Sequence, residues 1–540
     1  MTLPALRIAI WIDDLHVSKI DRDFIEWAGS EPGIELTSLL VSPSPSIIKP
    51  SRTAANAIFN ALTAIEGALL RRRSARYREH RCRFDVRSLA IGASTPTISS
   101  VEVRRLPVPG LDLIVFLGAE MPSAGISIPS RLGTIAFEAA DPRHRRGVPA
   151  AFWEVFERRD TTGFALEHFA AGQVGGDVLL RGKVPTRHFY LLNEAALLEK
   201  SYHYLRVVIS RIAASGQLPT PSPSTPDSQR PAEFPSARQS LAYLGRFFAA
   251  MAGKRLRRLR GREEVWQVAF LRSGWRGAAL WQGVPIANPP GRYLADPFVI
   301  RREDGDYCYV EDFDSSRQRG CISVYKLGAA AAERLGIVID EPFHLSFPYL
   351  FEYQGALYMC PESSANKDIR LYRCVEFPMK WQLEKVVMAG VAAVDTMIFP
   401  KDGKWWLFAN MDPGNTGELA SELYIFSADS PLAATWKPHI RNPLVIDAGY
   451  ARNAGLLLDG DKVFRVSQRQ GFARYGKGSQ INEIIDLTDE TYDERCIELI
   501  EPNFREGLLG THHLHCRDGL TVFDFLAEAP VRHAFAASDR

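Results

Sequence analysis

Residues 296–311, DPFVIRREDGDYCYVE, hold a polar residue, an apolar run, a glycine turn and a second apolar run. The same order returns at 346–362 (SFPYLFEYQGALYMCPE), 395–410 (DTMIFPKDGKWWLFAN), 453–468 (NAGLLLDGDKVFRVSQ) and 513–525 (HLHCRDGLTVFDF). Asp-Gly or Gln-Gly between apolar runs supplies the positive φ of a tight hairpin, so each repeat is an antiparallel strand pair. The turn glycines stand at 305, 355, 403, 460 and 519, the spacing of four-stranded propeller blades. Five units predict an all-β five-bladed propeller. The last repeat leaves no room for outer strands, whereas VWQVAFLR and GAALWQG precede the first, so the early strands are expected to complete the last blade.

In a hairpin the start of one strand lies beside the end of the other, which puts Asp296 near Glu311, Ser346 near Glu362, Asp395 near Asn410 and Asn453 near Gln468. If these hairpins line the channel, one end of it is ringed by these residues with Arg452, His512 and His513. Packing alone would favour small or apolar residues there. Three convergent carboxylates, Asp296, Glu362 and Asp395, repel one another enough to raise at least one pKa. One protonated and one ionised carboxylate is what glycosidic chemistry requires. The expected roles are Asp296 as base or nucleophile, Glu362 as acid and Asp395 as pKa tuner or hydroxyl ligand; the plainer reading of Asp296 is a cap on the turn before Pro297. Glu311, Ser346, Arg452, Asn453, Gln468, His512 and His513 are expected to bind a sugar or sugar-phosphate substrate. Arg452 either forks onto an anionic group or pairs with Asp296 or Asp395. His513 and His515 share a strand face without a firm third ligand, so no metal and no cofactor is expected.

The 540 residues, 46% apolar and 24% charged, fit a globular chain of two domains. A net charge of +2 points to no particular partner, and no recognition motif accompanies the basic clusters, so no nucleic acid is expected. Seven cysteines without a CxxC pair suggest reduced thiols in a cytoplasmic protein. The apolar run of MTLPALRIAIWIDDLHV is short and soon meets Asp13 and Asp14, which suits a buried first strand better than a signal peptide. Residues 1–213 alternate short apolar runs with helical patterns, implying an α/β sheet. Residues 214–262 hold a Pro/Ser-rich linker, then a helical stretch with Leu241, Leu244, Phe248 and Met251 on one side and a basic end. That stretch, and the arginines between Arg71 and Arg83, suit an anionic membrane surface or else a solvated helix. The propeller occupies 263–540.

LADPFVI, HLSFPYLFEYQGALYMCPES, LYRCVEFPMKWQLEKV, WKPHIRNP, ARNAG and FRVSQ resemble the N-terminal region of glucosamine inositolphosphorylceramide transferases. The resemblance implies glycosyl transfer in surface polysaccharide or glycolipid assembly. More distantly, the propeller resembles furanosidase-type glycoside hydrolases, in which a first-blade Asp is base or nucleophile; those enzymes place their acid later than the second repeat, where Glu362 stands. Hydrolysis, and sugar binding without catalysis, therefore stay open. GTIAFEAADPRHRRGVP and TTGFALEHFAAGQVGGDVLLRG resemble the folate-dependent formyltransferases, which implies a Rossmann-like α/β domain for residues 1–213. Ala136, Glu138 and Val174 stand where that family carries its catalytic Asn, His and Asp. Arg146-Gly147, Thr162-Gly163 and Gly176-Asp177 keep the surrounding motifs, so the fold is expected without formyl transfer.

Overall fold

The computed structural model describes residues 4–41, 54–71, 82–89, 97–100, 110–118, 129–138, 149–170, 176–221, 234–259 and 261–530. The chain divides into two compact units, Met1–Met251 and Ala252–Arg540.

The first unit is built on a seven-stranded sheet. Its strands run in the spatial order Thr97–Ser100, Ile34–Val41, Leu6–Ile12, Leu113–Phe116, Thr134–Glu138, Thr161–Phe169 and Asp177–Pro185. The first five are mutually parallel and the last two antiparallel. Leu6–Ile12 is apolar almost throughout because it is central and covered on both faces, as parallel strands are. Val174 and Arg146-Gly147 lie outside the described residues, as do 72–81 of the first basic cluster and 222–233 of the Pro/Ser tract. Ala136 is buried on its strand, and Thr162 bonds Thr186 and Asn193 in a scaffold contact.

The helix Ala237–Leu259 begins inside this unit. The Tyr243 hydroxyl donates to Glu66 at 2.9 Å and accepts from the Tyr190 amide at 2.8 Å, and Phe247 packs on Phe189. The face it buries is therefore Ser240, Tyr243 and Phe247, while Leu241 and Phe248 of the expected apolar face stay exposed with Leu256 and Leu259. The polar hydroxyl of Tyr243 decided this, because it found a buried carboxylate that a hydrophobicity count ignores. No helix among the described residues is long and apolar enough to cross a membrane.

The second unit is the propeller. Blades 1 to 4 open on the hairpins Arg292–Arg302/Gly305–Asp314, Ser346–Tyr353/Ala356–Glu362, Ala393–Lys401/Lys404–Met411 and Asn453–Asp459/Lys462–Gly471. Blade 5 combines Leu514–Arg517 and Leu520–Pro530 with Arg262–Leu271 and Val284–Ile286 from the start of the unit. The first and last long strands of the unit thus close the ring by pairing from Arg262↔Pro530 to Leu271↔Thr521. Each blade's first strand contacts that of the next, and the fifth returns to the first, which places these strands around the axis.

The turns behave as their residues require. Gln354-Gly355, Asp402-Gly403 and Asp518-Gly519 all have positive φ at both positions, the type I′ pattern that matches strand twist. Gln354, at φ +49°, lacks the αL tolerance of Asn. Gln354→Asn is expected to stabilise the propeller by about 0.5 kcal/mol, read as a higher thermal midpoint; an unchanged or lower midpoint counts against it.

A second backbone feature serves the channel. In four blades the register of the first strand breaks near its start, between Ala295 and Phe298, Ser346 and Tyr349, Val394 and Met397, and Asn453 and Gly455. Asp296, Phe347 and Asp395 sit in these bulges at φ of +49°, +45° and +49°. A left-handed non-glycine residue costs about 1–3 kcal/mol and persists only where the surroundings enforce it. Pro297 and Pro348 follow two of them, at positions where the bulge removes the need for an N–H. The bulges turn Asp296 and Asp395 out of the alternation of their strands.

Candidate active site in the propeller channel

Asp296 is the centre of the site. Its Oδ2 accepts the Phe347 amide at 3.3 Å, and its Oδ1 lies 3.2 Å from His512 Nε2 and 3.8 Å from His513 Nδ1. The other side of His512 meets Asp524, with Nδ1 2.9 Å from Oδ2 in an ion pair lying off the line of a hydrogen bond. Asp524 in turn accepts the amides of His512 and His513 at 3.0 Å and that of Asp296 at 3.2 Å. His512 precedes the strand Leu514–Arg517, so strand alternation does not separate it from His513 and both address Asp296. Asp296, His512 and Asp524 bring ligand atoms within 4.8 Å of one another, the one such group among the described residues, and could hold a cation only with the His512 proton displaced.

Charge sets the protonation pattern. Burial lowers the His512 pKa, but the negative charge of Asp524 and then Asp296 overrides it and carries the imidazole to about 10. Burial raises the Asp296 pKa, and the His512 contact overrides it, holding the carboxyl at about 2. Burial takes His513 down to about 4 and leaves it neutral, both ring nitrogens without a hydrogen-bond partner. The site thus pairs a firmly ionised carboxylate with an imidazolium.

The other acids go the opposite way. Burial raises Glu311 well above the usual range, reinforced by the charges of Asp296 and Glu362. Glu311 has His344 3.6 Å away, itself pushed down by burial. Burial also raises Glu362, opposed by Arg452, whose Nη2 is 3.8 Å away, and by a 2.7 Å bond from Ser364. Asp395 is pushed up to about 7 by burial, against the Arg452 guanidinium that donates to it at 2.6 Å.

Arg452 spends its Nε on Asp395, so the ion-pair alternative is the one the structure adopts, with Asp395 as partner; a fork aimed freely at an anionic substrate group is not present. Gln468 also donates to Asp395, at 3.2 Å. Ser346 pairs in register with Glu362. Asn453, fully buried, donates from its carboxamide to the Asp395 and Phe408 carbonyls and from its backbone amide to Asn410 Oδ1, which makes it scaffold. His515 accepts the Val299 amide and is likewise scaffold.

Three members were not legible as site residues. Asp524 lies inside the run LTVFDF, where alternation gives it no distinction. Tyr475 and Trp266 form an aromatic corner over the charged groups. The Tyr475 ring is 5.0 Å from the Arg452 guanidinium and 5.2 Å from His512, and Trp266 is 4.0 Å from His512. Tyr475 is 42% exposed, so it stands at the mouth of an otherwise buried ring. Its position depends on Gly476, at φ +62°, where a Cβ would come within 2.7 Å of the His512 Cβ.

Asp296, Glu311, Glu362, Asp395 and Arg452 lie in a region similar to known proteins, whereas His512, His513 and Asp524 lie beyond it. Residues 282–509 match the family model described as glucosamine inositolphosphorylceramide transferase 1, N-terminal. Glucosamine inositolphosphorylceramide transferase 1 of Arabidopsis thaliana is 36% identical over 242 residues, which are 41% of this chain and 31% of that protein. The Oryza sativa subsp. japonica protein of the same name is 34% identical over 232 residues, 40% of this chain and 31% of the relative. The match thus spans about a third of the length of these relatives. Among solved structures, Zg3597, a family 117 glycoside hydrolase of Zobellia galactanivorans, aligns over 50% of this chain and 92% of its own, with 11% identity and a TM-score of 0.33. An α-L-arabinanase of Cellvibrio cellulosa aligns over 45% and 92%, with 15% identity and a TM-score of 0.33.

The protonation pattern has a measurable consequence for stability. Glu311 has a folded pKa raised above its unfolded value, so its contribution is full below about pH 4.5 and is lost as pH rises through the folded pKa. Glu311→Gln keeps the neutral shape without that penalty. The variant is expected to melt above wild type at pH 7–8 and to match it near pH 4; an equal pH slope in both proteins would show that Glu311 is ionised in the fold.

Proposed function

We propose that the channel ring is a carbohydrate-active acid–base site and that the protein transfers a glycosyl group during assembly of a surface polysaccharide or glycolipid. The observation that carries this is the coexistence, in one buried ring, of an ionised Asp296 with carboxyl groups at Glu311 and Glu362 held towards the protonated form. Glycosyl transfer needs that division. Asp296 takes the proton from an acceptor hydroxyl as its oxygen bonds the anomeric carbon, and a protonated glutamic acid gives its proton to the departing oxygen. Glu362 is one donor, in keeping with its place in the ring of convergent carboxylates. Glu311 is the second donor, favoured because no guanidinium pairs with it. Asp395, tied to Arg452, tunes the set. Similarity in sequence to proteins named as transferases supports transfer over hydrolysis.

The test is the glycan profile of a strain lacking the gene, complemented with wild type and with Asp296→Asn, Glu311→Gln, Glu362→Gln and Asp395→Asn. Loss of the glycan in Asp296→Asn and in at least one glutamine variant is expected. Full restoration by all four would leave a binding propeller, and release of free sugar into water without an acceptor would mark a hydrolase.

A further inference from the structure

A second cavity, of about 340 Å³, opens at the junction of blades 4 and 5. Its floor is apolar: Leu280, Ile481, Ile500 and Leu514 are all buried. Leu514 lies between His513 and His515 in sequence and belongs to the apolar cluster between the two blades, so the cavity has a wall of its own apart from the carboxylate ring. The rim differs in kind. Trp281 is 61% exposed there, across from Glu498 and Asn503, which are exposed as well.

The walls are built rather than incidental. Arg505 donates from its Nε and Nη2 to the Trp281 carbonyl at 3.2 and 3.1 Å, which ties the loop after blade 4 to the loop that carries the indole. Arg276 pins the other end of that loop, bonding Asp459 at 2.7 Å and lying 4.3 Å over the Trp275 ring. Trp275 packs in turn against Phe464, at 5.1 Å. Two arginines thus hold both ends of a loop that presents an exposed tryptophan, in a cavity whose volume falls at the small end of ligand pockets. An exposed indole is the residue type most used where a ligand has one apolar face and one wet one.

We propose that this cavity is a saccharide-binding site separate from the ring, taking one or two residues of a neutral glycan chain. The C–H face of a pyranose or furanose covers the Trp281 indole, and its hydroxyls bond the Glu498 carboxylate and the Asn503 carboxamide. Charge excludes the anionic alternatives. Glu498 stands at the mouth, Arg469 is consumed by its ion pair with Glu501, and Arg505 spends its donors on the Trp281 and Gly283 carbonyls, so a phosphate or uronate would find no cation aimed at it. A fatty acid fits poorly because its carboxylate head would face Glu498 at the rim. A chain held here would raise its own concentration near the ring, whatever chemistry the ring performs.

Affinity gel electrophoresis of the full-length protein in gels containing soluble arabinan, galactan or dextran tests this directly. Wild type is expected to be retarded in at least one of the three gels. Trp281→Ala should weaken that retardation about tenfold and Asn503→Ala to a lesser degree, both with an unchanged melting temperature, because both side chains are exposed. Asp296→Asn should be retarded like wild type, which separates this site from the ring. Three gels without retardation, or retardation that survives Trp281→Ala, would overturn the proposal. So would displacement from the gel by octanoate and not by the corresponding oligosaccharide, which would identify a lipid site.

Discussion

Asp296→Asn is expected to lower activity by about 10²–10⁴-fold, the range for a positioned acid–base group, with the propeller still folded. Asparagine keeps the volume and can still accept the Phe347 amide, so the bulge loses little. What it removes is charge. His512 would then face Asp524 alone, and its pKa should drop from about 10. That fall is visible in the histidine ring resonances as a function of pH, and it follows from no mere capping role. A capping aspartate would cost about 1 kcal/mol of stability and spare both activity and the His512 titration. The pair also fixes a stability profile. Asp296, held at about 2, stabilises the fold above about pH 4, an effect lost as pH falls through 2; His512, held at about 10, stabilises it below about pH 6.5, an effect lost as pH rises through 10. The pair therefore contributes most between about pH 4 and 6.5, and Asp296→Asn should flatten both limbs. Full activity with an unmoved His512 titration would remove Asp296 from the chemistry.

The propeller was legible because its signal is repeated. Five glycine turns with flanking apolar runs fix the hairpins, and the shortage of strands after Phe525 points to closure by the strand that begins at Arg262. The polar ring followed from hairpin geometry alone, since register places Glu362 opposite Ser346 and Glu311 beside Asp296. Partner choice was not legible. Arg452 could pair with either aspartate or stay free, and only the bulges, which re-aim Asp395, decide for the ion pair. Asp524 escaped notice because its neighbours make an unbroken apolar strand; its charge is tolerated only because three backbone amides and one imidazole converge on it. Tyr475 and Trp266 meet across 209 positions of sequence, a contact that exists only because the ring closes. In the first unit, short strands with helices between them gave the parallel sheet, while the burial of Tyr243 turned the Ala237–Leu259 helix away from the face its hydrophobic residues suggested.

The largest stability effect is expected from Glu494→Gln, in a contact that lies behind the site. Arg465 is fully buried and donates from Nε to Glu494 at 2.8 Å, with a second bond from Nη2 to the same carboxylate. Its remaining donors hold the carbonyls of Ala451 at 3.1 Å and Tyr450 at 2.9 Å, the two residues that lead into Arg452. The glutamine leaves a guanidinium buried without its counter-ion. Breaking a buried pair from one side costs about 3–5 kcal/mol, which for a domain of this size lowers the melting temperature by roughly 10 °C. Arg465→Met should cost a similar amount, because it takes the guanidinium from Glu494 and orphans the Tyr450 carbonyl. The double variant Arg465→Met/Glu494→Leu is expected to recover much of either loss, since an apolar pair of matching volume removes the unpaired charge from both sides. Activity separates support from stability. Even in the recovered double variant the Tyr450 carbonyl has lost its donor and the Ala451 carbonyl keeps only Asn410, at 2.8 Å, so the approach to Arg452 is less firmly held and turnover should remain depressed at temperatures where the propeller is folded. A single Glu494→Gln variant that melts within about 1 kcal/mol of wild type would mean that water reaches Arg465, and a fully active double variant would mean that Asp395, Asn410 and the Gln468 amide position Arg452 without Arg465.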